Sequence, residues 1–444
     1  LTIGMAVDAN VLVFERVREE FKASKRIGPA LQAGYRKAFS AIVDSNVTTI
    51  LAALILIQFD SGPVKGFAVT LIIGIVSSMF TALFMTRYFF AGWVRHPENK
   101  ELHMMQFLQE TTFNFLKKAR LALILSLVLL CLGSYFFIQE RKTLFGMDFT
   151  GGYSLQVTLA PTQLAVDYRK DALYAFWKEG ASKRDVEVRQ LNQPNQLRMQ
   201  FGTSMDEKNH PFYQMPDLVE GQFLHAYQKD PRLNWVVQTL EKAGLQVVPE
   251  ELDSLDKHWS VMSGQFSDAM RNQAVLALGL ALFSILIYIT VRFEFKYAIG
   301  AVAGLVHDVL MTIGLLAFLH AMGWPVQVDL QVVGAIMTII GYSLNDTIIV
   351  FDRIREEVKI LRRKSFEEII NHSLNVTLSR TLMTSGTTLL VLLALVLFGG
   401  DSIFSFSLVM TIGVVVGTFS SLFIASPVML YFHKKEADTL ARGS

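Results

Sequence analysis

Apolar residues gather along the chain into nine runs divided by polar or basic stretches. A helix needs about 17–25 apolar residues to cross a bilayer. The first run extends from Leu1 to about Phe14 and is short. The others lie near Ile42–Phe59, Phe67–Phe90, Leu121–Ile138, Asn272–Val291, Tyr297–Met322, Val328–Phe351, Leu382–Phe398 and Phe404–Phe432. A long polar segment, Gln139 to Gln265, interrupts them and changes period. Tyr153–Ala160, Asp185–Leu191 and Gln196–Gly202 alternate as strands do, the last two joined by a turn at Asn192–Asn195. Leu164–Gly180 reads as a helix, Asp217–Gly244 as a mostly helical stretch broken near Pro231, and His258–Gly264 as a final strand. The order βαββαβ predicts a small α+β, ferredoxin-like domain between membrane helices.

Composition agrees with a polytopic helical membrane protein. Of 444 residues, 52% are hydrophobic and 18% charged, and the mean hydropathy is +0.37, too apolar for a soluble chain of this length. The net charge of +2 says little, but its distribution matters, because cytoplasmic loops are rich in Lys and Arg. Basic residues follow the first run (Arg16, Arg18, Lys22, Lys25, Arg26), precede the fourth (Lys117, Lys118, Arg120), and follow the fifth (Arg292, Lys296), seventh (Arg353, Arg355, Arg362) and ninth (Lys434, Lys435). The alternate loops, Gln58–Gly66, Gly323–Gln331 and Gly399–Ser405, are poor in them. One orientation satisfies all nine runs and puts Gln139–Gln265 outside the cytoplasm. Cys131 is the single cysteine, so no internal disulfide forms.

The chain also repeats itself. GMAVDANVLVFERVREE, Gly4 to Glu20, returns as GYSLNDTIIVFDRIREE, Gly341 to Glu357. Thr48-Thr49 aligns with Thr387-Thr388, and Gly74–Leu83 with Gly413–Leu422. Each first half carries an acid inside apolar sequence, Asp8 and Asp346. An ionisable residue there costs about 2.5–3.5 kcal/mol on insertion scales, so it marks a candidate functional site. Duplicated membrane units with an acid in each are a layout of ion-coupled transporters. Gly413/Gly417 and Gly300/Gly304 form GxxxG pairs, read as close helix packing. His307-Asp308 falls in mid-run. Asn10, Asn345, Thr347 and Thr384 are polar neighbours able to orient a proton. Glu15, Glu19, Glu20, Asp352, Glu356 and Glu357 read as solvated helix ends with i,i+4 pairs.

These motifs carry a family resemblance. The first repeat resembles the signature of the fourth transmembrane helix of SecD. FGMDFTGG, Phe145 to Gly152, and the second repeat resemble the matching signatures of SecF. The order is similar to a SecD–SecF fusion of the resistance–nodulation–division superfamily whose SecD half lacks its first helices and large exported domain. The chain opens on Leu1 with no basic leader, and is expected to be the remainder of a longer protein. The resemblance implies residues 1–94 as the end of a SecD-like membrane unit, 95–120 as a cytoplasmic linker and 121–138 as the first SecF-like helix. It further implies 139–265 as a periplasmic domain, 266–432 as the remaining helices and 433–444 as a cytoplasmic tail.

The resemblance also implies a role: a proton-driven accessory of protein export in the bacterial inner membrane, acting with the SecYEG translocon, YajC, emerging preprotein and membrane lipid. It assigns proton coupling to Asp8, Asp346 and Arg380. Only the second repeat supplies that cation; Ala41 stands at the matching place in the first. Gly146, Gly151 and Gly152 are expected as a hinge, since glycine reaches backbone angles closed to other residues. The sequence carries no metal-ligand cluster, nucleotide-binding glycine loop or nucleophile elbow, and neither enzyme activity, a cofactor nor nucleic-acid binding is expected. Two other readings remain: an exporter of a small molecule or lipid, which would carry two sizeable porter domains, and a non-transporting assembly factor, which would gain little from buried charge.

Overall fold

The computed structural model describes residues 2–59, 62–95, 111–141, 143–161, 167–182, 185–191, 193–221 and 223–443. Most of the expected linker 95–120, the start of the expected Leu164–Gly180 helix and Asn192 lie outside them.

The first repeat contributes α1 (Thr2–Ser24), α2 (Ile27–Leu56), α3 (Gly62–Phe80) and α4 (Thr86–Trp93), the last two joined through a π-helical turn at Thr81–Met85. Next comes α5 (Phe115–Glu140), started by Asn114, whose side chain accepts from the Lys117 amide. A single turn, α6 (Met147–Thr150), leads into the sheet domain: β1 (Gly152–Thr158), α7 (Tyr168–Lys178), β2 (Val186–Gln190), β3 (Gln196–Gly202), α8 (Pro231–Lys242), the short α9 (Pro249–Leu252) and α10 (Leu255–His258), and β4 (Trp259–Met262). The chain re-enters the helical body as α11 (Gly264–Arg292), α12 (Phe295–Ala321), α13 (Leu330–Ile360), α14 (Phe366–Phe398), α15 (Asp401–Ser420) and, after a second π-helical turn at Ser421–Ala425, α16 (Ser426–Gly443).

Eight helices among the described residues are long and apolar enough to cross a membrane. With α1, the short first run, they are the nine expected segments. The helices outrun their apolar stretches: α2 begins at Ile27 and α14 at Phe366, far ahead of Ile42 and Leu382. Helix α14 starts at a capping box, Ser365 with Glu368. Burial ranks the helices. The most apolar window of α13 is 94% buried and that of α5 11%, so α13 is the axis of the bundle and α5 lies at its rim.

The sheet is antiparallel with order β2-β3-β1-β4, the arrangement a split βαβ repeat produces. Leu155, Val157, Val188, Leu197, Met199 and Phe201 point into a core closed by Phe176, Phe212, Leu233 and Val236. One expectation fails. The stretch after Asp217 is irregular, a short 3-10 turn occupies Ala226–Lys229, and the helix begins only at Pro231. Pro231 starts that helix rather than breaking it. It sits at the first position, where its missing N–H costs nothing, and Asp230 caps the Arg232 and Leu233 amides.

The repeat is visible in packing. A Cβ added at Gly4 would strike the Thr388 side chain; one at the matching Gly341 would come within 2.9 Å of Thr49 Cα. Helix α1 therefore presses on α14, and α13 on α2, through equivalent glycine–threonine contacts. The Gly74–Thr2 contact likewise matches Gly413–Ile339. The GxxxG pairs do pack: Gly413 and Gly417 face Ile339 and Ser343 of α13, and a Cβ added at Gly300 would come within 2.8 Å of the Ala425 carbonyl oxygen.

Candidate functional site

The three expected coupling residues sit on three different helices, Asp8 on α1, Asp346 on α13 and Arg380 on α14. All are buried, with 5%, 5% and 2% of their surface exposed. The Gly4–Thr388 contact brings α1 against α14 one turn of α1 away from Asp8. Arg380 Nη2 lies 2.6 Å from Asp8 Oδ1, and the Asn345 amide donates to Asp8 Oδ2. Asn345 and Asp346 are neighbours, so helical rotation of about 100° separates them. Asn345 reaches α1, while Asp346 turns to α14 and accepts from Ser385 Oγ at 3.4 Å. Ser385 Oγ in turn accepts from Thr418 Oγ1 of α15 at 2.7 Å. Tyr342, one turn before Asp346, donates to Thr388 Oγ1 at 3.1 Å.

The two acids are thus in unlike company. Asp8 holds the guanidinium and an amide; Asp346 holds a long hydroxyl bond. Nε and Nη1 of Arg380 have no hydrogen-bond partner among the described residues. Chemically this is one cation within a buried cluster that has two carboxylates to serve.

The expected polar neighbours divide. Asn345 belongs to the cluster. Asn10 bonds its own helix at the Ala6 carbonyl, 2.8 Å away, Thr347 does so at Ser343 and Thr384 at Thr381. His307 and Asp308 form a separate buried cluster. His307 Nε2 meets Ser126 Oγ of α5 at 2.6 Å, and its Nδ1 meets Asp308 Oδ1 at 3.0 Å. Asp308 Oδ2 accepts from Ser343 at 2.5 Å and Ser420 at 2.8 Å. This cluster ties α5, α12, α13 and α15 together.

Two ionic groups depart from the sequence reading. At the end of the bundle away from the sheet domain, Arg16 pairs with Glu356 at 2.8 Å and Arg353 with Glu19 at 3.2 Å. Each Arg also meets the Glu of its own helix, at 3.0 and 3.3 Å. These residues are equivalent in the two repeats, so the ring is nearly symmetric. Glu19 and Glu356, expected as solvated ends, instead bridge α1 and α13. The second group was not anticipated: Asp44 of α2 accepts from Tyr288 at 3.0 Å and Arg292 at 2.7 Å, both of α11. An Asp directly after Ala41-Ile42-Val43 was the signal for it.

The glycines expected as a hinge occupy the entry to the sheet domain. Gly151 and Gly152 have φ of 77° and 134°. A Cβ on Gly152 would collide with the Phe201 carbonyl of β3, so both conformation and space demand glycine. Gly146 has ordinary angles and lies against Asp329, where an added Cβ would meet its side chain at 3.4 Å.

Residues 1–96 and 246–435 match the family described as protein export membrane protein SecD/SecF, C-terminal. Protein translocase subunit SecDF of Brucella abortus is 32% identical over 99% of this chain and 53% of its own. Protein translocase subunit SecF of Pseudomonas aeruginosa is 33% identical over 74% of this chain and 94% of its own. A crystal structure of SecDF from Thermus thermophilus, described as a translocon-associated membrane protein, superposes with a TM-score of 0.78 at 30% identity. It covers 98% of this chain and 54% of that one. The chain spans about half the length of the SecDF relatives it matches. On matched length, identity and fold together, the chain belongs to the SecD/SecF family of protein-export membrane proteins.

Proposed function

We propose that this chain is part of an accessory subunit of the Sec protein translocase and couples the proton gradient to late steps of export. The observation that carries the reading is the buried Asp8–Arg380 pair beside Asp346, assembled from both repeats. In this reading the guanidinium moves between the two carboxylates as protons enter and leave. A carboxylate's proton affinity falls beside a cation and rises when the cation departs, so each exchange of partners captures one proton and frees another. Because α1 and α13 belong to different repeats, the exchange shifts one repeat against the other.

The relatives' names supply the translocon as partner: they are called protein translocase subunits. The same reading places the chain in the bacterial inner membrane with the sheet domain on the periplasmic side, supported by the Lys and Arg excess in the opposite loops. SecYEG, YajC, the emerging preprotein and lipid are its partners there. The gradient provides about 2.3 kcal/mol per proton per 100 mV. That biases a two-state movement more than tenfold and does not unfold a stable substrate in one step. The mechanism is therefore a repeated small stroke acting on an already unfolded chain.

The test is Asp346→Asn, reconstituted with the translocon in proteoliposomes. The substitution keeps shape and removes titration. Gradient-dependent stimulation of export is expected to disappear while insertion and folding persist. Stimulation at the normal gradient dependence in that variant overturns the reading.

A further inference from the structure

The start of α13, the helix bearing Asp346, is held by the strip Leu144–Asp148 that leads into the sheet domain and by Arg189 of β2. The first amides of a helix lack partners within it. Here Asp329 takes the Val332 amide at 2.8 Å, and Asp148, on the single turn α6, takes the Leu330 amide at 2.9 Å. Backbone bonds bind the same two strips: Gly146 N to Val328 O at 2.9 Å, and Val328 N to Leu144 O at 2.7 Å. From β2, Arg189 Nη1 reaches Asp329 Oδ2 at 3.5 Å while its Nε holds Glu187 at 2.8 Å. Beside this seam a cleft of about 880 Å³ opens beneath the domain, lined by Phe137, Arg141, Phe149, Glu187 and Arg271 among others. The domain is thus gripped along one side and has room to tilt on the other.

We propose that Asp148, Arg189 and Asp329 form a proton-sensitive latch between the sheet domain and α13, and that acidification around the domain tightens it.

The sign follows from burial. The charged groups facing Asp329 are Arg189, Glu187 and Asp148, with Arg198 next to Arg189 and Asp148. Burial dominates and pushes Asp329 up to about 6; Arg189 and the Val332 amide oppose it, and Asp148 and Glu187 add to it. Undocking returns Asp329 to water and to an ordinary value of about 3.9. The docked state therefore holds the proton more tightly, and protonation favours docking by a factor on the order of a hundred. The gain begins as pH falls through about 6 and is complete below the ordinary carboxylate range. A simple surface ion pair behaves oppositely, since acid breaks it. The protonated acid still accepts from Val332, and Arg189 keeps Glu187.

The latch is independent of proton transfer at Asp346, and its test separates the two. The full chain in lipid nanodiscs, with Cys131→Ser, carries spin labels at Tyr174→Cys on the domain and Met322→Cys on the body. Both positions are well exposed. The docked population is expected to rise as pH falls from 7.5 to 5, the rise setting in near 6. Asp329→Asn keeps a good helix cap and is expected to stay docked with a flat response. Arg189→Gln is expected to move the midpoint upward, because the opposing cation is gone. Undocking on acidification, a flat wild-type profile, or an unchanged profile in Asp329→Asn overturns the proposal. The response is expected to persist in Asp346→Asn; its loss there would assign it to the intramembrane site and overturn the latch.

Discussion

Arg380 commits one nitrogen to Asp8 and leaves two others without a hydrogen-bond partner among the described residues. Removing one member of a buried pair strands the other charge, at about 3–5 kcal/mol. Arg380→Gln alone is therefore expected to destabilise the chain by that order in detergent denaturation. Adding Asp8→Asn should recover most of the loss without restoring gradient-dependent export. Arg380→Lys keeps the charge but replaces a planar five-donor fork with a point charge on a flexible stem. It should lose at least tenfold in gradient-dependent export, a change of about 1.4 kcal/mol, and unimpaired export would return Arg380 to a structural role. Asp8, Asp346 and Arg380 were legible because charge inside apolar sequence is costly and stands out. Ser385, Thr418 and Tyr342 were not. Small hydroxyl residues in helices commonly bond their own preceding turn, as Thr347 and Thr384 do here, and nothing in sequence separates those from the ones that reach across.

At the scale of elements, the closest approaches are made at glycine. Gly341→Ala would set a Cβ 2.9 Å from the Thr49 backbone, where a helix has to move; overpacking of this kind costs about 1–3 kcal/mol. Gly334, in the same helix, meets nothing within 4 Å, and Gly334→Ala should stabilise by about 0.5–1 kcal/mol through helix propensity alone. Thermal unfolding of the two variants in one detergent distinguishes them by sign. Hydropathy located the membrane helices and missed their lengths, because Phe366–Arg380 and Ile27–Ala41 are helical through polar sequence that tertiary contacts hold. It also missed both π-helical turns, Thr81–Met85 and Ser421–Ala425, which fall at nearly equivalent places in the repeats. One extra residue in a turn leaves no compositional trace, yet it rotates everything beyond it.

For the whole molecule, the order of strands was legible from period and turn residues. The attachment of the sheet domain was not, since Asp148, Arg189 and Asp329 lie far apart in sequence and meet only once the chain has folded. The ring at the opposite end joins the repeats as that seam joins domain and body. Arg16→Glu would set like charges against Glu19 and Glu356 and should weaken the bridge between α1 and α13 by about 1 kcal/mol, partial exposure limiting the effect. Exchanging the pair, Arg16→Glu with Glu356→Arg, should recover part of it in the same denaturation measurement.

The crossed glycine–threonine contacts bear on how such a protein can be inherited in pieces. Since α1 leans on α14 and α13 on α2, what keeps the repeats together is their mutual surface, and the peptide connection between them is dispensable for cohesion. A gene broken between the repeats should then still yield an assembled pair of repeats, provided both fragments are made in one membrane. Curated relatives occur both as single SecDF chains and as separate SecF subunits. Residues 1–95 and 111–444, co-expressed and purified through a tag on one fragment, should co-elute in equal amounts. Gly341→Val should release the untagged fragment while each fragment still reaches the membrane.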